Sequence, residues 1–304
     1  MDNNELDSLC IIIVTYNSMP WIEKCLSSLK NFRVIVVDNN SSDNTVQFLK
    51  NQYPRIILLA QQENLGFGKA NNIGIHEALK IGSTNFLLLN QDAYINPKAI
   101  NSLFELQNKY PSFGVISPIH LDSSGNQLDK GFAEYVNFSN APAFIRDLIL
   151  KNQINDVYAV PFVNAACWML SRRCLEMVGG FDPIFFLYGE DDNYCQRVLY
   201  HSFKIGVASN IYVIHDREQR GRKKEFFLSQ EKFYKTKYAN INIDNLHELE
   251  THKKRLRKSM SINLLKIKSK KFKIAKNELA LLEKIESEII LSRNINKNPG
   301  LHYL

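Results

Sequence analysis

Three consecutive carboxylates, Glu190, Asp191 and Asp192, are the residues whose type and spacing most directly suggest chemistry. They follow an aromatic segment and Gly189, and apolar residues then recur at helical spacing, which predicts that the acids begin a helix. A single acid there would be a simple cap, because free N–H groups and the helix dipole favour negative charge. Three adjacent like charges repel one another, however, which raises at least one pKa and suits a general base.

A parallel sheet is predicted to position the other polar residues. Strands buried on both faces are predicted for four apolar runs, at residues 10–14, 34–37, 56–59 and 86–89. Helical patterns lie between these runs, so the order predicts a doubly wound α/β fold that binds its ligands at the carboxyl ends of the strands. Further strands are expected at residues 115–118, 204–208 and 211–214, and either a strand or a close-packed segment at residues 163–170.

A run of seven polar residues, 38–44, follows the second predicted strand. Asp, Asn and Ser favour turns and helix caps, so the run has a purely structural interpretation. Asp38 is also well placed to accept hydrogen bonds from a base or a ribose, because it comes directly after the strand. Both interpretations remain open from the residues alone.

A glycine-rich stretch, residues 64–74, precedes an amphipathic helix. Its glycines, Gly66 among them, let backbone approach a ligand, and Lys69 places a positive charge near the helix start, where phosphates bind. The stretch matches neither a Walker loop nor a dinucleotide fingerprint, so in isolation it is weak evidence.

Asp92 and His215 also come at strand ends. A lone carboxylate there is either a cap or a ligand for Mg²⁺ or Mn²⁺, which prefer oxygen donors and bridge proteins to diphosphates. A lone histidine at a strand end is more often structural than a metal ligand. The carboxylates predicted at neighbouring strand ends strengthen the metal interpretation of His215.

Composition restricts the class of protein. The chain has 304 residues, 45% hydrophobic, with no apolar run long enough to span a bilayer, which predicts a globular protein. Its five cysteines form no C-x-x-C pair, so reduced thiols in the cytoplasm are expected. Residues 251–304 hold 14 Lys/Arg against 4 Asp/Glu, whereas residues 1–250 hold 24 against 27. A slightly acidic body argues against nucleic acid as a partner.

Taken together, the segments resemble the inverting glycosyltransferases of family 2, in the branch of bacterial rhamnosyltransferases and O-antigen or capsule enzymes. The resemblance covers residues 9–216 and is strongest at residues 185–191, Phe-Phe-Leu-Tyr-Gly-Glu-Asp. The other matching stretches are residues 12–18, 36–42, 64–68 with Asn71 and Asn72, 88–92, 180–182 and His215.

The resemblance implies a GT-A fold, a nucleotide-diphosphate-sugar donor and Mg²⁺ or Mn²⁺. It implies that Asp191 is the general base, that Asp92 is the carboxylate of the metal motif, and that His215 helps to hold the metal or pyrophosphate. We predict Glu190 as a second catalytic residue. We predict that the donor site comprises Thr15, Tyr16, Asn17, Asp38, Asn40, Gly66, Lys69, Asn71 and Asn90.

Three positions depart from the family's pattern. The metal motif, Asn90-Gln91-Asp92, contains one acid, which predicts modest metal affinity. Asn193 stands where many relatives have a second acid, so either Asp192 substitutes or acceptor recognition differs. Residues 164–166, Asn-Ala-Ala, replace a common glycine and are expected to reshape the acceptor wall.

The predicted organisation is a catalytic domain, residues 1–220, and a basic helical region, residues 221–304. Residues 217–224 are either a solvated loop or a lid over the diphosphate. The helical region is expected to pack on the catalytic domain, to pair two subunits, or to hold the enzyme at an anionic cytoplasmic membrane face.

The predicted reaction is transfer of a sugar, rhamnose as the first choice, from a dTDP or UDP donor to a glycan acceptor, which is expected to be lipid-linked. The alternatives are a non-catalytic nucleotide-sugar-binding protein and a nucleotidyltransferase. The Glu190-Asp191 pair argues against the first alternative. The lack of a glycine- and Lys/Arg-rich signature after the first strand argues against the second.

Overall fold

The first half of the sheet has the predicted parallel architecture. The computed structural model describes residues 8–217 and 230–304. The first four strands are β1 (Leu9–Thr15), β2 (Arg33–Asp38), β3 (Ile57–Ala60) and β4 (Asn85–Asn90). They lie in the order β3-β2-β1-β4, and every pairing among them is parallel. Their carboxyl ends therefore meet at one edge.

Helices cover both faces of this half, which explains why its strands are continuous apolar runs. Ile12 packs in one core and Ile11 and Ile13 in the other. The helices are α1 (Ile22–Ser27), α2 (Thr45–Gln52), α3 (Phe67–Lys80) and α4 (Pro97–Lys109). Helix α3 closes the first core, and α1, α2 and α4 close the second.

The second half of the sheet is mixed. Its strands are β5 (Ala93–Tyr94), β6 (Phe113–Leu121), β7 (Val157–Val160), β8 (Cys167–Ser171) and β9 (Lys204–His215). β8 lies antiparallel between β4 and β6, β9 runs parallel to β6, and β5 and β7 pair antiparallel with β9. The parallel expectation thus describes the sheet as far as β4.

Two predicted strand boundaries differ from the structure. The strand expected at residues 163–170 begins only at Cys167, because a turn precedes it in which the Ala166 N–H donates to the Asn164 carbonyl at 2.9 Å. The two strands expected at residues 204–214 are one strand, β9. Polar Ser209 interrupts the apolar pattern without breaking that strand, because its hydroxyl donates to the Asn155 carbonyl at 2.6 Å.

Four helices connect the strands of this half. They are α5 (Lys130–Tyr135), α6 (Pro142–Leu150), α7 (Arg172–Val178) and α8 (Glu190–Tyr200). The acidic run opens α8, as its position in the sequence predicts.

The C-terminal region is helical, as expected. It contains α9 (Gln230–Tyr238), α10 (Leu246–Leu265) and α11 (Ser269–Asn296). α10 and α11 form an antiparallel hairpin with its own apolar core, which includes Leu249, Leu282 and Ile285. No helix in residues 8–217 or 230–304 has the length and apolar character that crossing a membrane requires. The predicted domain boundary at residue 220 and the predicted lid beyond Arg217 lie outside the described residues.

Candidate active site

The acidic run enters α8 through a sharp turn. Tyr188 and Gly189 both have left-handed backbone conformations, with φ of 64° and 96°. A bulky aromatic residue seldom adopts that conformation, and such strain concentrates at functional sites. The turn buries Glu190, while Asp191 and Asp192 remain partly exposed. The two outer carboxylates can therefore reach a substrate, and the inner one is enclosed.

The electrostatics of the run distinguish a cap from a base. Burial, reinforced by the charge of Asp191, raises the pKa of Glu190 to about 8 and that of Asp192 to about 6. Burial also raises the pKa of Asp191, although the backbone N–H groups of Asp192 and Ala165 favour its anion. A carboxylate that merely caps a helix has a lowered pKa, because the helix stabilises its charge. The raised pKa values therefore favour the general-base interpretation.

The glycine-rich stretch packs directly on the loop that carries the acids. The Phe67 N–H donates to the Phe186 carbonyl at 3.2 Å, and a Cβ at Gly66 would lie 1.9 Å from that oxygen. A Cβ at Gly68 would lie 2.9 Å from Cβ of Phe181. These glycines thus permit the approach of one protein segment to another, a role that their sequence context did not reveal.

The side chains of two asparagines of α3 form hydrogen bonds with backbone groups. The Asn72 amide accepts from the Phe181 N–H at 2.7 Å and donates to the Phe181 carbonyl at 2.8 Å. Asn71 is buried and donates to the Phe67 carbonyl at 3.0 Å. Lys69, between them and the glycines, is exposed. Of the predicted donor residues on this helix, Lys69 is therefore the one that faces solvent.

The predicted nucleoside residues form a connected group at the ends of β1 and β2. Buried Asp38 accepts from the Thr15 hydroxyl at 2.9 Å and from the Ser41 hydroxyl at 2.6 Å. Asn17 accepts from the Ser42 N–H at 2.8 Å. Asp38 therefore holds the two strand-end loops together, whereas the Tyr16 side chain is 47% exposed and free to meet a ligand.

Two residues of this edge, Asn39 and Gln91, were not among the predicted site residues. Asn39 joins the polar run to the glycine-rich stretch, accepting from the Leu65 N–H at 2.7 Å and donating to the Gly66 carbonyl at 3.1 Å. Asn40 beside it, one of the predicted donor residues, is exposed with φ of 64°. Gln91 accepts from the Tyr16 N–H at 2.8 Å. Nothing in local sequence distinguishes Asn39 from its polar neighbours, because its partners lie 26 residues away.

Asp92 and His215 meet at the edge of β5 and β9. Ala93 pairs with His215 across these strands, and Nε2 of the buried His215 lies 3.6 Å from Oδ1 of the buried Asp92. On its other side, Nδ1 of His215 accepts from Nε of Arg217 at 3.2 Å and lies 3.9 Å from Oδ2 of Asp129. Asp129 and Arg217 complete a polar cluster that the sequence pattern did not indicate.

The cluster fits a divalent cation in part. Nε2 of His215 has no hydrogen-bond partner among the described residues, and it faces an Asp oxygen, so one nitrogen and one oxygen donor are available. Ligation through Nε2 requires the proton on Nδ1, so the hydrogen bond that Nδ1 accepts from Arg217 would have to be replaced by one that Nδ1 donates to Asp129. No group of three or more His, Cys, Asp or Glu side chains with metal-site geometry occurs within residues 8–217 and 230–304. A diphosphate would therefore have to supply further oxygens.

Backbone contacts connect the metal-side strand to the acids. The Asn90 N–H donates to the Ala166 carbonyl at 2.9 Å, and the neighbouring Ala165 backbone hydrogen-bonds Asp191. Burial raises the pKa of the Tyr135 phenol on α5. The charge of Asp191 raises that pKa further and the charge of Arg217 lowers it, so Tyr135 lies within electrostatic range of both. Asp191 and the Arg217 end of the metal cluster thus border the same region, and residues 164–166 form part of its wall.

Asn193 has a structural role in this fold. It is fully buried, and its Oδ1 accepts from Nε of Arg197 at 3.0 Å. Arg197 in turn donates to the carbonyls of Val178 and Gly180 at 2.8 and 2.6 Å. The departure at position 193 therefore affects the support of the 178–180 corner, and it leaves Asp192 as the second partly exposed acid.

The C-terminal helices contact the acid-bearing loop. Ser292 and Asn296 on α11 donate to Oδ2 of buried Asp182 at 2.5 and 2.7 Å. On α9, Lys235 donates to the Ile184 carbonyl at 2.8 Å. Lys232, also on α9, favours the anionic forms of all three acids. The helical region is therefore part of the scaffold of the site.

Comparison with known proteins identifies the class. The family model described as "Glycosyl transferase family 2" matches residues 10–179, more than half of the chain. An N-acetylglucosaminyl-diphospho-decaprenol L-rhamnosyltransferase of Mycobacterium tuberculosis is 26% identical over 216 residues, 61% of this chain and 68% of that protein. The S. aureus TarS 1–349 structure in complex with UDP-GlcNAc aligns with a TM-score of 0.56 at 17% identity, covering 95% of this chain and 90% of TarS 1–349.

A GalNAc-T7 structure with UDP, GalNAc and Mn²⁺ aligns with a TM-score of 0.58 at 14% identity, covering 75% of this chain and 48% of GalNAc-T7. The fold is thus the GT-A fold of glycosyltransferases. The chain belongs to glycosyl transferase family 2, and it is a glycosyltransferase.

Proposed function

We propose that this glycosyltransferase inverts the anomeric carbon as it transfers a sugar, rhamnose as the first choice, from a dTDP or UDP donor. The acceptor is a hydroxyl of a lipid-linked glycan in bacterial surface polysaccharide synthesis. The observation that carries the proposal is the position of Asp191, which is partly exposed and lies between the buried Glu190 and the partly exposed Asp192. The pKa values of all three carboxyls are raised. A base of this kind is suited to removing a proton from a hydroxyl near neutral pH.

In this mechanism Asp191 accepts the proton of the acceptor hydroxyl as that oxygen bonds to the anomeric carbon. The bond from that carbon to the donor diphosphate breaks on the opposite face, and its electron pair leaves with the diphosphate. Glu190, whose pKa is about 8, is protonated at neutral pH, so the negative charge resides on its neighbours. The N–H groups of Asp192 and Ala165 orient the Asp191 carboxylate.

Donor binding is assigned to the carboxyl ends of β1, β2 and β4, which the Asn90–Ala166 and Phe67–Phe186 backbone hydrogen bonds join to the region of the acids. Tyr16 and Asn40 are exposed there and would contact the nucleoside, on loops that Thr15, Asn17 and Asp38 hold together. Among the remaining predicted donor residues, Lys69 supplies a charge to the diphosphate, while Gly66, Asn71 and Asn90 shape the backbone around it. This division of roles follows from exposure, because buried and bonded side chains support a loop rather than bind a ligand.

Asp92 and His215 are the residues that would hold Mg²⁺ or Mn²⁺. When bound, the cation supplies positive charge that neutralises the departing diphosphate. The Mn²⁺ in the GalNAc-T7 structure supports this assignment by analogy of fold.

The sugar and the acceptor are inferred from the relatives. The mycobacterial relative is named for rhamnose transfer and for a diphospho-decaprenol acceptor, which supports a deoxyhexose and a polyprenyl-linked glycan here. The UDP-GlcNAc bound in the TarS structure supports UDP as the alternative to dTDP in the donor. The proposal places the enzyme in the cytoplasm at the inner face of the membrane. Pairing of two copies through the helical region stays a prediction.

The test is thermal stabilisation of the purified protein by dTDP, UDP and GDP, each with and without Mn²⁺. The expected result is a preference for one diphosphate that requires Mn²⁺ and is lost in Asp92→Ala but kept in Glu105→Ala, which removes an exposed carboxylate from α4. Metal-independent preference would remove Asp92 from the metal role. Absence of stabilisation by any diphosphate would contradict the proposed donor site.

A further inference from the structure

The basic charge of the C-terminal region is concentrated at one end of the α10–α11 hairpin. Residues 251–277 contain 11 Lys/Arg and no Asp or Glu. These residues span the last three quarters of α10, the connection between the helices and the first turns of α11. We define the hairpin tip as residues 262–274. Five of its residues are exposed lysines: Lys266, Lys268, Lys270, Lys271 and Lys273.

The acids of α11 are engaged at the other end of the hairpin. Glu283 and Glu286 pair with Arg257 and Lys253 of α10 at 2.8 and 2.6 Å. Glu288 pairs with Lys235 of α9 at 3.0 Å. Within the described residues, no ion pair involves a lysine of the tip. Ion pairs therefore neutralise the end of the hairpin that lies near the acid-bearing loop. The tip, at the other end, keeps its positive charge.

Apolar side chains project from the same tip. Leu264, Leu265, Ile267 and Ile274 are 65%, 84%, 90% and 54% exposed. Ile267 has a left-handed conformation, φ of 54°, because it ends α10: the Lys268 N–H donates to the Asn263 carbonyl at 2.8 Å and the Ile267 N–H to the Leu264 carbonyl at 3.1 Å. The helix end thus presents the Ile267 side chain to solvent. A surface that combines bulky apolar residues with surrounding lysines is the composition of an interfacial membrane anchor.

We propose that the hairpin tip docks on an anionic lipid bilayer. Its lysines are attracted to the headgroups, and Leu264, Leu265 and Ile267 enter the boundary between headgroups and acyl chains. A nucleic acid fits this surface less well, because the cations between residues 258 and 276 are all lysines, with none of the arginines that pair with phosphates in a bidentate manner. The inference deepens the proposed function, since its purpose rests on an acceptor held in the membrane.

The docking site is remote from the chemistry but rigidly joined to it. Ser292, which contacts Asp182, follows the first residue of α11 by 23 positions, a distance of about 35 Å along a helix. Docking therefore orients the enzyme on the bilayer without contributing a group to the reaction. Truncation of the tail is unsuitable as a test, because it would also remove Ser292 and Asn296 from Asp182.

The test is co-sedimentation of the full chain with vesicles of phosphatidylcholine, with and without phosphatidylglycerol, at low and high salt. We compare the native chain with the triple variants Lys266→Glu/Lys268→Glu/Lys270→Glu and Leu264→Ser/Leu265→Ser/Ile267→Ser. The matched control, Lys50→Glu/Lys98→Glu/Lys151→Glu, makes the same charge change at exposed positions of the catalytic body. Circular dichroism and thermal midpoints confirm that each variant is folded.

The expected result is binding that requires phosphatidylglycerol. The lysine variant should weaken it about 100-fold or more, the apolar variant about tenfold, and the control little. Equal binding to neutral vesicles, weakening by the control alone, or retention of an oligonucleotide in preference to vesicles would overturn the inference. Vesicle binding through the tip in a protein that binds no nucleoside diphosphate would uphold the inference while contradicting the proposed function, so the two fail separately.

Discussion

Asn296, near the end of the last helix, donates a 2.7 Å hydrogen bond to the buried carboxylate of Asp182, which lies 114 residues earlier in the chain. Asp182 sits in the turn that leads to the acids, and its other oxygen accepts from the Ile184 N–H at 3.1 Å. This contact makes the C-terminal helix a support of the loop that presents Asp191. The geometry of the proposed base therefore depends on residues outside the family match.

Removing the Asn296 contact is expected to weaken both the fold and the reaction. Asn296→Ala deprives a buried carboxylate of a hydrogen bond, which costs about 1–3 kcal/mol in the free energy of unfolding. Transfer should fall further than diphosphate binding does, because the acid-bearing loop is displaced and the donor loops are not. Denaturant unfolding and steady-state kinetics measure the two effects. Asn298→Ala, which alters an exposed residue on the same segment, is the control and should change neither.

Asp191→Asn is expected to lower transfer by about 10²–10⁴-fold, the usual contribution of a general base. Nucleoside-diphosphate binding should be retained, since the donor residues lie on other strands. Radiolabelled sugar transfer measures the first quantity and calorimetry the second.

Asp192→Asn is the matched variant for the base assignment, because Asp192 is the other partly exposed acid. It should retain most of the activity. The reverse pattern, with Asp191→Asn active and Asp192→Asn inactive, would assign the base to Asp192.

The buried carboxyl of Glu190 is expected to make stability depend on pH. Its pKa is 4.5 in the unfolded chain and about 8 in the fold, so the folded state binds the proton more tightly across that interval. The free energy of unfolding should therefore fall as pH rises from about 4.5 to 8. Glu190→Gln, which stays neutral, should flatten this dependence. Urea unfolding at several pH values measures it, and an unchanged slope in the variant would show that Glu190 is not the group responsible.

Gly66 is expected to be intolerant of a side chain because of its contact with Phe186. A methyl group there would lie 1.9 Å from the Phe186 carbonyl oxygen, so Gly66→Ala must displace the acid-bearing loop. Gly82→Ala is a matched control, since Gly82 also has positive φ, 84°, but no atom within 4 Å of an added Cβ. The control should cost about 1–2 kcal/mol for its conformation alone.

Gly66→Ala should cost more than that and should also reduce transfer. Thermal unfolding and activity are measured for both variants. Equal losses of stability, with activity retained, would mean that the contact does not position the loop.

Local sequence was sufficient for the first half of the sheet and for the polar residues that follow its strands. Burial on both faces requires continuous apolar runs such as residues 10–14, and the polar residues after them lie at the edge where the donor site is proposed. The acids of α8 were likewise evident from their position before a helical pattern. These features are encoded by neighbours within a few residues, so periodicity detects them.

Only the tertiary structure decided how those parts support one another. Local pattern carries no information about pairs that are distant in sequence, such as Asn39 with the glycine-rich stretch or Asp182 with Asn296. The same limit applies to the glycines, whose close partner proved to be the Phe186 backbone. Composition alone predicted a basic tail. The antiparallel hairpin brings the acids of α11 to the cations of α9 and α10, which neutralises the end of the hairpin near the acid-bearing loop. The lysines of the tip form no ion pair with an acid of residues 8–217 or 230–304, so the tip remains charged as well as apolar.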